Sequence, residues 1–284
     1  MLDLQRRLFR PGSAASSVIY RALMAVSSPR MRVPQRRDGT AEDHAVHAVA
    51  RALMTAAFGR LSTQERAWIA RIEARRRELA SSRALIRPRI AAGRSADANE
   101  APEGPIPLAA SMWLSLPRVW CVFLMRLIRE LAPRSCLELG TGFGISSAYQ
   151  AAALELNGAG ALRTLEGAAA FAEVAERGLA TLGLTERVEV RVGPIGDTLG
   201  EALEDAGPVE FAFLDADHRE HPTLEHFNAI LPHLSEGAVV VLDDINWGAE
   251  GMPRAWRAIR SHGRISVALG LRRVGLCVIS GTGR

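Results

Sequence analysis

The sequence predicts an α/β fold: a doubly wound, seven-stranded, mostly parallel sheet with an antiparallel last strand, preceded by a helical extension. Three observations predict it. From residue 135 onward, short apolar runs alternate with helix-period segments, and repeated β-α units build a parallel sheet covered on both faces. The first run, Ser135 to Leu139, enters a turn with glycine at alternate positions, Gly140, Gly142 and Gly144, and a helical run follows from Ile145. The last two apolar runs meet through Gly270, too close for a crossover, so they pair antiparallel.

The elements follow in order. Residues 1–37 are rich in Arg and Ser, with Asp3 the one acid and breaks at Pro11, Pro29 and Pro34. They read as a basic arm, with a surface helix or a targeting peptide as alternatives. Residues 38–107 form a helical extension and a linker. Thr40 is placed to cap a helix with acids in its first turn, and Val46, Val49, Leu53, Met54 and Ala57 recur at helical spacing. Ser62 to Glu65 is a capping box. It opens a second helix with Trp68, Ile69, Ile72 and Leu79 on one face and Arg71, Arg75, Arg76 and Arg77 on the other, read as a solvated face. Residues 88–107 hold Pro88, Gly93, Pro102, Gly104, Pro105 and Pro107, a linker composition. Residues 108–284 make the main domain, with an amphipathic helix at 117–131. Strands are expected at 135–139, 161–166, 187–192, 209–214, 237–243, 264–269 and 273–280. Helices are expected at 145–156, 168–182, 197–206, 222–233 and 252–262.

Composition narrows the classes. The chain has 284 residues, 48% of them hydrophobic, enough for one large domain with an extension. No apolar run reaches the ~18 residues of a membrane span. No apolar core with a small-residue cleavage site follows the basic start, so a secretory signal is not expected. Three widely spaced cysteines read as reduced core residues of a cytoplasmic protein, and they lack zinc-site spacing. Residues 1–95 carry 19 arginines against 7 acids, net +12, and residues 96–284 carry 16 against 24, net −8. The chain has no lysine, so no lysine serves as a base.

The chemistry concentrates at strand ends. A glycine turn between strand and helix lets a ligand approach the main chain, and the helix N-terminus favours an anionic group. The spacing is Glu138-x-Gly-x-Gly-x-Gly, not the Gly-x-Gly-x-x-Gly of dinucleotide folds. It resembles motif I of class I S-adenosylmethionine (SAM)-dependent methyltransferases, which implies a Rossmann-like sheet. Glu166 ends the second strand and is placed to accept hydrogen bonds from a ribose, or to cap the next helix. Gly193, ending the third, offers backbone contacts, and Asp197 is a contact or a cap for the helix that follows it.

Two further runs, Phe211 to His218 and Val239 to Trp247, are apolar strands ending in acids. Asp215, Asp243 and Asp244 would converge on the ligand-binding edge of the sheet. Adjacent carboxylates repel unless a positive charge lies between them, and a divalent ion such as Mg²⁺ answers that need. Alternatively, Asp243 caps a turn and Asp244 faces water.

With these residues, 117–280 resembles the small-molecule O-methyltransferases of the catechol and caffeoyl-coenzyme A types. The resemblance implies that Glu138, Gly140, Thr141, Gly142, Gly144 and Ser146 border the methionine end of SAM, and that Glu166, Gly193 and Asp215 complete the cofactor site. It further implies that Asp215, Asp243 and Asp244 hold the metal and that His218, beside Asp215, is the catalytic base. Two departures stand out: Asp-Asp at 243–244 where Asp-Asn is usual, and His218 in place of a lysine. Histidine accepts a proton near neutral pH, though His218 also reads as a plain surface residue. Trp247 and Trp256 are core or wall the acceptor pocket. The expected partner is a small-molecule acceptor, with the Val46/Val49/Leu53 stripe covered by this chain, as a lid, or by a second copy in a homodimer. Two other readings stand beside it. One is a nucleic-acid methyltransferase using the basic segment, with binding that weakens as salt rises; against it, no Asn-Pro-Pro-Tyr-type loop is present. The other is a SAM-binding protein that transfers no methyl.

Overall fold

The computed structural model describes residues 40–87, 104–248 and 251–281. The basic arm and most of the Pro/Gly linker lie outside the described residues.

Two capped helices lead. In α1 (Ala41–Phe58) the Thr40 side chain accepts from the Asp43 amide, and Asp43 accepts in return from the Thr40 amide, a reciprocal box. In α2 (Thr63–Ala80) Ser62 and Glu65 do the same. A short antiparallel pair, β1 (Leu85–Ile86) with β2 (Ile106–Pro107), closes the linker at its base, and a 3-10 turn, Ala109–Leu114, leads to α3 (Arg118–Leu131).

The sheet domain then alternates: β3 (Ser135–Leu139), α4 (Ile145–Asn157), β4 (Ala161–Glu166), α5 (Ala169–Leu182), β5 (Val188–Val192), α6 (Ile195–Ala206), β6 (Val209–Leu214), α7 (Glu220–Ile230), β7 (Leu234–Leu242), α8 (Gly251–Arg260), β8 (Ile265–Leu271) and β9 (Val274–Ile279). Strand order is β5-β4-β3-β6-β7-β9-β8. The first five strands in that order are parallel, and β9 runs antiparallel to both β7 and β8. Alternate strand residues feed two cores. Cys136, Phe211, Phe213, Val239 and Val241 face the layer of α1 to α5, while Leu137, Leu139, Ala212, Val240 and Leu242 face α6 to α8. Among the described residues no helix is long and apolar enough to cross a membrane.

The extension belongs to the same core. Ala45, Val49, Ala52, Leu53, Ile69 and Ile72 are buried with Leu124, Leu127 and Phe211. The stripe expected to need a partner therefore finds it in α3 and the sheet of its own chain, which removes the ground for a lid or a dimer on that face. Met54 departs from the stripe, at 45% exposed. The arginine row is solvated only in part: Arg71 and Arg77 are exposed, and Arg75 and Arg76 are half-buried. Arg71 donates to the Leu182 carbonyl at 2.6 Å and stacks on Trp68, and Arg76 donates to Glu73 and to the Leu116 carbonyl. Their stems and heads fasten α2 to the sheet domain. Glu65 also pairs with Arg126 of α3 at 3.0 Å, with both side chains largely buried.

Several boundaries differ from the sequence expectation, two of them with a visible cause. Strand β7 begins at Leu234 rather than 237: Leu234 already pairs with Val209, and the ladder is interrupted before Val239, where Gly237 turns at φ +74° with the Ala41 carbonyl packed against it. Helix α6 begins at Ile195, so Asp197 lies inside its first turn and is not the cap.

Candidate active site

The carboxyl edge of the sheet is held by main-chain bonds from strand to strand. The Gly193 amide donates to the Glu166 carbonyl, Gly140 to Leu165, Asp215 to Leu139, and Asp243 to Leu214, each at 2.9 Å. Residues far apart in sequence are thereby placed side by side.

The glycine loop is shaped by contact with its neighbours. Gly140 has φ +94°, and a Cβ there would lie 2.2 Å from the Asp215 carbonyl oxygen; only glycine fits. Gly142, at φ +54°, faces open space. Helix α4 starts at Gly144 without a side-chain cap, so its first-turn N–H groups are available to an anion.

Glu166 braces this loop. Its Oε2 accepts from the Gly142 amide at 2.7 Å and its Oε1 from the Ala168 amide at 2.8 Å. Burial pushes its pKa up and the amides oppose the shift.

Glu138 and Thr141 are tied into a buried hydrogen-bond network. Glu138 is 0% exposed. It accepts from Ser147, from Gln150 Nε2 at 2.6 Å and from Thr164 Oγ1 at 2.7 Å. Thr141 Oγ1 meets Thr164 Oγ1 at 2.7 Å; since Thr164 donates to Glu138, Thr141 donates to Thr164. Burial pushes the Glu138 carboxyl up in pKa, against four side-chain hydrogen bonds, Ser146 among their donors. Glu138, Ser146 and Thr141 thus anchor the loop to its own strand and helix.

The acids do converge. Asp215, His218 and Asp243 each bring a ligand-type atom within 4.8 Å of the others. His218 Nε2 lies 3.3 Å from Asp215 Oδ1 and 3.6 Å from Asp244 Oδ2, and although buried it has no aligned hydrogen-bond partner. Burial opposes the charged ring, but Asp215, then Asp244 and Asp243, hold its pKa above 6.5. Burial pushes the Asp215 carboxyl up to about 8, against the hydrogen bond from His218. Asp244 sits at φ +50° and is also raised, by burial first and then by Asp243.

One residue here was not foreseen. Arg273, in the turn between β8 and β9, donates from Nε and Nη2 to both oxygens of Asp243, at 2.8, 3.1 and 2.6 Å. Its Nη2 also donates to Asp244 Oδ2 at 3.1 Å. The signal was present: antiparallel pairing of β9 with β7 sets Gly275 beside Leu242, and two more steps set Arg273 beside Asp244. Trp256 is core, packed on Gly275, whereas Trp247 is 58% exposed beside the acids.

Residues 137–245 match the family model of a methyltransferase domain. The sheet domain resembles the class I methyltransferases. A catechol O-methyltransferase of Niastella koreensis is 36% identical over 124 residues, 43% of this chain and 54% of that protein. One of Mycobacterium tuberculosis is 34% identical over 143 residues, 49% of this chain and 62% of that protein. The chain thus spans little more than half the length of these curated relatives. Among solved structures, the O-methyltransferase TomG of Streptomyces achromogenes, in complex with SAM, superposes with TM-score 0.51 at 28% identity, over 59% of this chain and 82% of that one. A Bacillus cereus O-methyltransferase with SAH shares the fold, with TM-score 0.53 at 21% identity over 80% and 95% of the two chains.

Proposed function

We propose that this chain transfers the methyl group of SAM to an oxygen of a small-molecule acceptor, with His218 as the base. The observation that carries this reading is the His218 ring nitrogen. It is buried, without an aligned partner, flanked by Asp215 and Asp244, and one strand away from the glycine loop. The matched methyltransferase domain and the catechol O-methyltransferase relatives support it.

Bound SAM supplies an activated methyl carbon on a sulfonium centre. The open space above Gly142, the uncapped start of α4 and the remaining lone pairs of Glu166 suit its three polar parts: backbone, carboxylate and ribose. The protein's tasks are then alignment and proton removal. His218 Nε2 takes the acceptor's hydroxyl proton as the oxygen lone pair closes on the methyl carbon, and the carbon–sulfur electron pair stays on sulfur. Asp215 stabilises the resulting imidazolium. Alignment of the two reactants supplies much of the acceleration. Trp247, exposed at the end of this edge, forms an apolar wall for a planar acceptor.

A divalent ion fits less well. Asp215, His218 and Asp243 form a sound donor set, but both oxygens of Asp243 already hold the Arg273 guanidinium, and Asp244 is turned to it as well. No step here is therefore assigned to a metal. The three free, buried cysteines support a reducing compartment.

The test is formation of S-adenosylhomocysteine from SAM with catechol- and caffeoyl-type phenols. His218→Ala is expected to lose turnover and keep SAM affinity. Full turnover in that variant removes His218 from the role of base.

A further inference from the structure

The carboxylates at the ends of β6 and β7 need a counter-charge. Asp243 is 0% exposed, and a carboxylate so placed is tolerated only when paired. The guanidinium of Arg273 meets that need with three contacts to Asp243 and a further one to Asp244. Arginine keeps its charge at all working pH values and its fork matches a carboxylate edge. We propose that Arg273 is the resident cation of this site, occupying the place of a divalent ion and making the chemistry independent of added metal. This rests on the methyl-transfer reading above.

Three features of the chain carry the proposal. Position comes first: the Ile245 amide donates to the Arg273 carbonyl at 2.8 Å and fixes the backbone there, and the guanidinium is held by Asp243 and Asp244. Backbone strain is second. Arg272 (φ +67°) and Asp244 (φ +50°) both adopt left-handed backbone, which costs energy in a non-glycine residue, and both stand at the contact between the two loops. Competition is third. A divalent ion bound by Asp215, His218 and Asp243 would share Asp243 with the guanidinium, and two cations so close repel. Arg273 touches no reacting atom in this scheme. It is a positioning residue that fixes Asp243 and Asp244, and through Asp244 the charge beside His218.

The test is a Mn²⁺ titration of the full chain, followed by electron paramagnetic resonance, with a SAM titration on the same samples in chelator and in Mg²⁺. Wild type is expected to bind no stoichiometric Mn²⁺ up to on the order of 1 mM and to bind SAM equally in both buffers. Arg273→Gln is expected to gain Mn²⁺ affinity by about 10–100-fold, and Arg273→Lys to keep the wild-type refusal of metal. If Arg273→Gln does not fold, Arg273→Gln with Asp244→Asn removes one charge of each sign and takes its place. Stoichiometric, micromolar Mn²⁺ binding by wild type overturns the proposal whatever the variants do, as does an unchanged Mn²⁺ affinity on loss of the guanidinium. Absence of SAM binding defeats the methyltransferase reading and leaves the Mn²⁺ result to be judged alone.

Discussion

Replacing Glu166 with alanine separates the cofactor reading from a purely local one. Each Glu166 oxygen accepts one backbone amide, Gly142 at 2.7 Å and Ala168 at 2.8 Å. Bonds to a charged acceptor contribute about 1.5–3 kcal/mol each, so deletion removes roughly 3–6 kcal/mol of gross interaction. Water reaches part of the vacated space, and a net loss of about 2–4 kcal/mol in the cofactor-free protein is expected. SAM binding then loses both the shaped loop and the ribose acceptor. A weakening of at least about 2.7 kcal/mol, or a hundredfold in Kd, is expected. Urea denaturation of the free protein reads the first effect, and calorimetric titration with SAM reads the second. If stability falls while SAM affinity holds within about threefold, Glu166 only braces the loop and the ribose assignment is refuted. If neither changes, the loop itself has been misread.

Other consequences follow from the same geometry. Turnover should rise with pH along a limb centred above 6.5, because the His218 ring must lose its proton before it can act. Asp215→Asn removes the largest charge raising the ring's pKa and should move that limb to lower pH; a wild-type limb at or below 6.5 contradicts the pairing. Gly140→Ala sets a Cβ 2.2 Å from the Asp215 oxygen at φ +94°. It should lower Tm by about 5–10 °C and depress SAM affinity, so a variant with wild-type melting and binding counts against the close approach. Glu65→Ala opens the α2 capping box and leaves Arg126 unpaired; a loss of about 3–5 kcal/mol by urea midpoint is expected, and less than about 1 kcal/mol would show the pair to be solvated. His226 is buried and its pKa is lowered, chiefly by desolvation. Its neutral form therefore contributes stability that is present above 6.5 and lost as pH falls through the folded value, and His226→Asn should flatten stability against pH in that acid range.

Much of this could be read in the sequence because local and tertiary signals agree. The strands at 135–139, 161–166 and 209–214 have the predicted bounds, each an apolar run between turn formers. What escaped depended on neighbours distant in sequence. The sequence starts the seventh-strand run at Gly237, whereas the strand begins at Leu234, and the lack of a side chain at Gly237 is what lets Ala41 pack there. Arg71 and Arg76 have the spacing of a solvated face, and periodicity cannot show that their heads reach carbonyls of other elements. The buried network of Glu138 is not visible in its motif. Strand alternation gave a better clue, since Glu138 shares a face with Cys136 and so looks toward α4, whose first turns carry Ser146, Ser147 and Gln150.

The order of the site residues reproduces the order of the strands. Gly193 follows β5, Glu166 ends β4 and Gly140 follows β3; Asp215 follows β6, Asp243 follows β7 and Arg273 precedes β9. The reversal of winding falls between β3 and β6, the place where an open α/β sheet leaves a crevice. Groups suited to SAM lie on one side of that reversal and the acids, base and guanidinium on the other. The two halves touch where Gly140 meets the Asp215 carbonyl. The same absent Cβ that shapes the glycine loop therefore sets how closely the loop approaches Asp215 and, beside it, His218. A residue at 140 larger than glycine would damage both halves at once, whereas a change at Arg273 would damage the acceptor half alone. Comparing SAM affinity and turnover in those two variants thus tests the division of labour across the sheet edge.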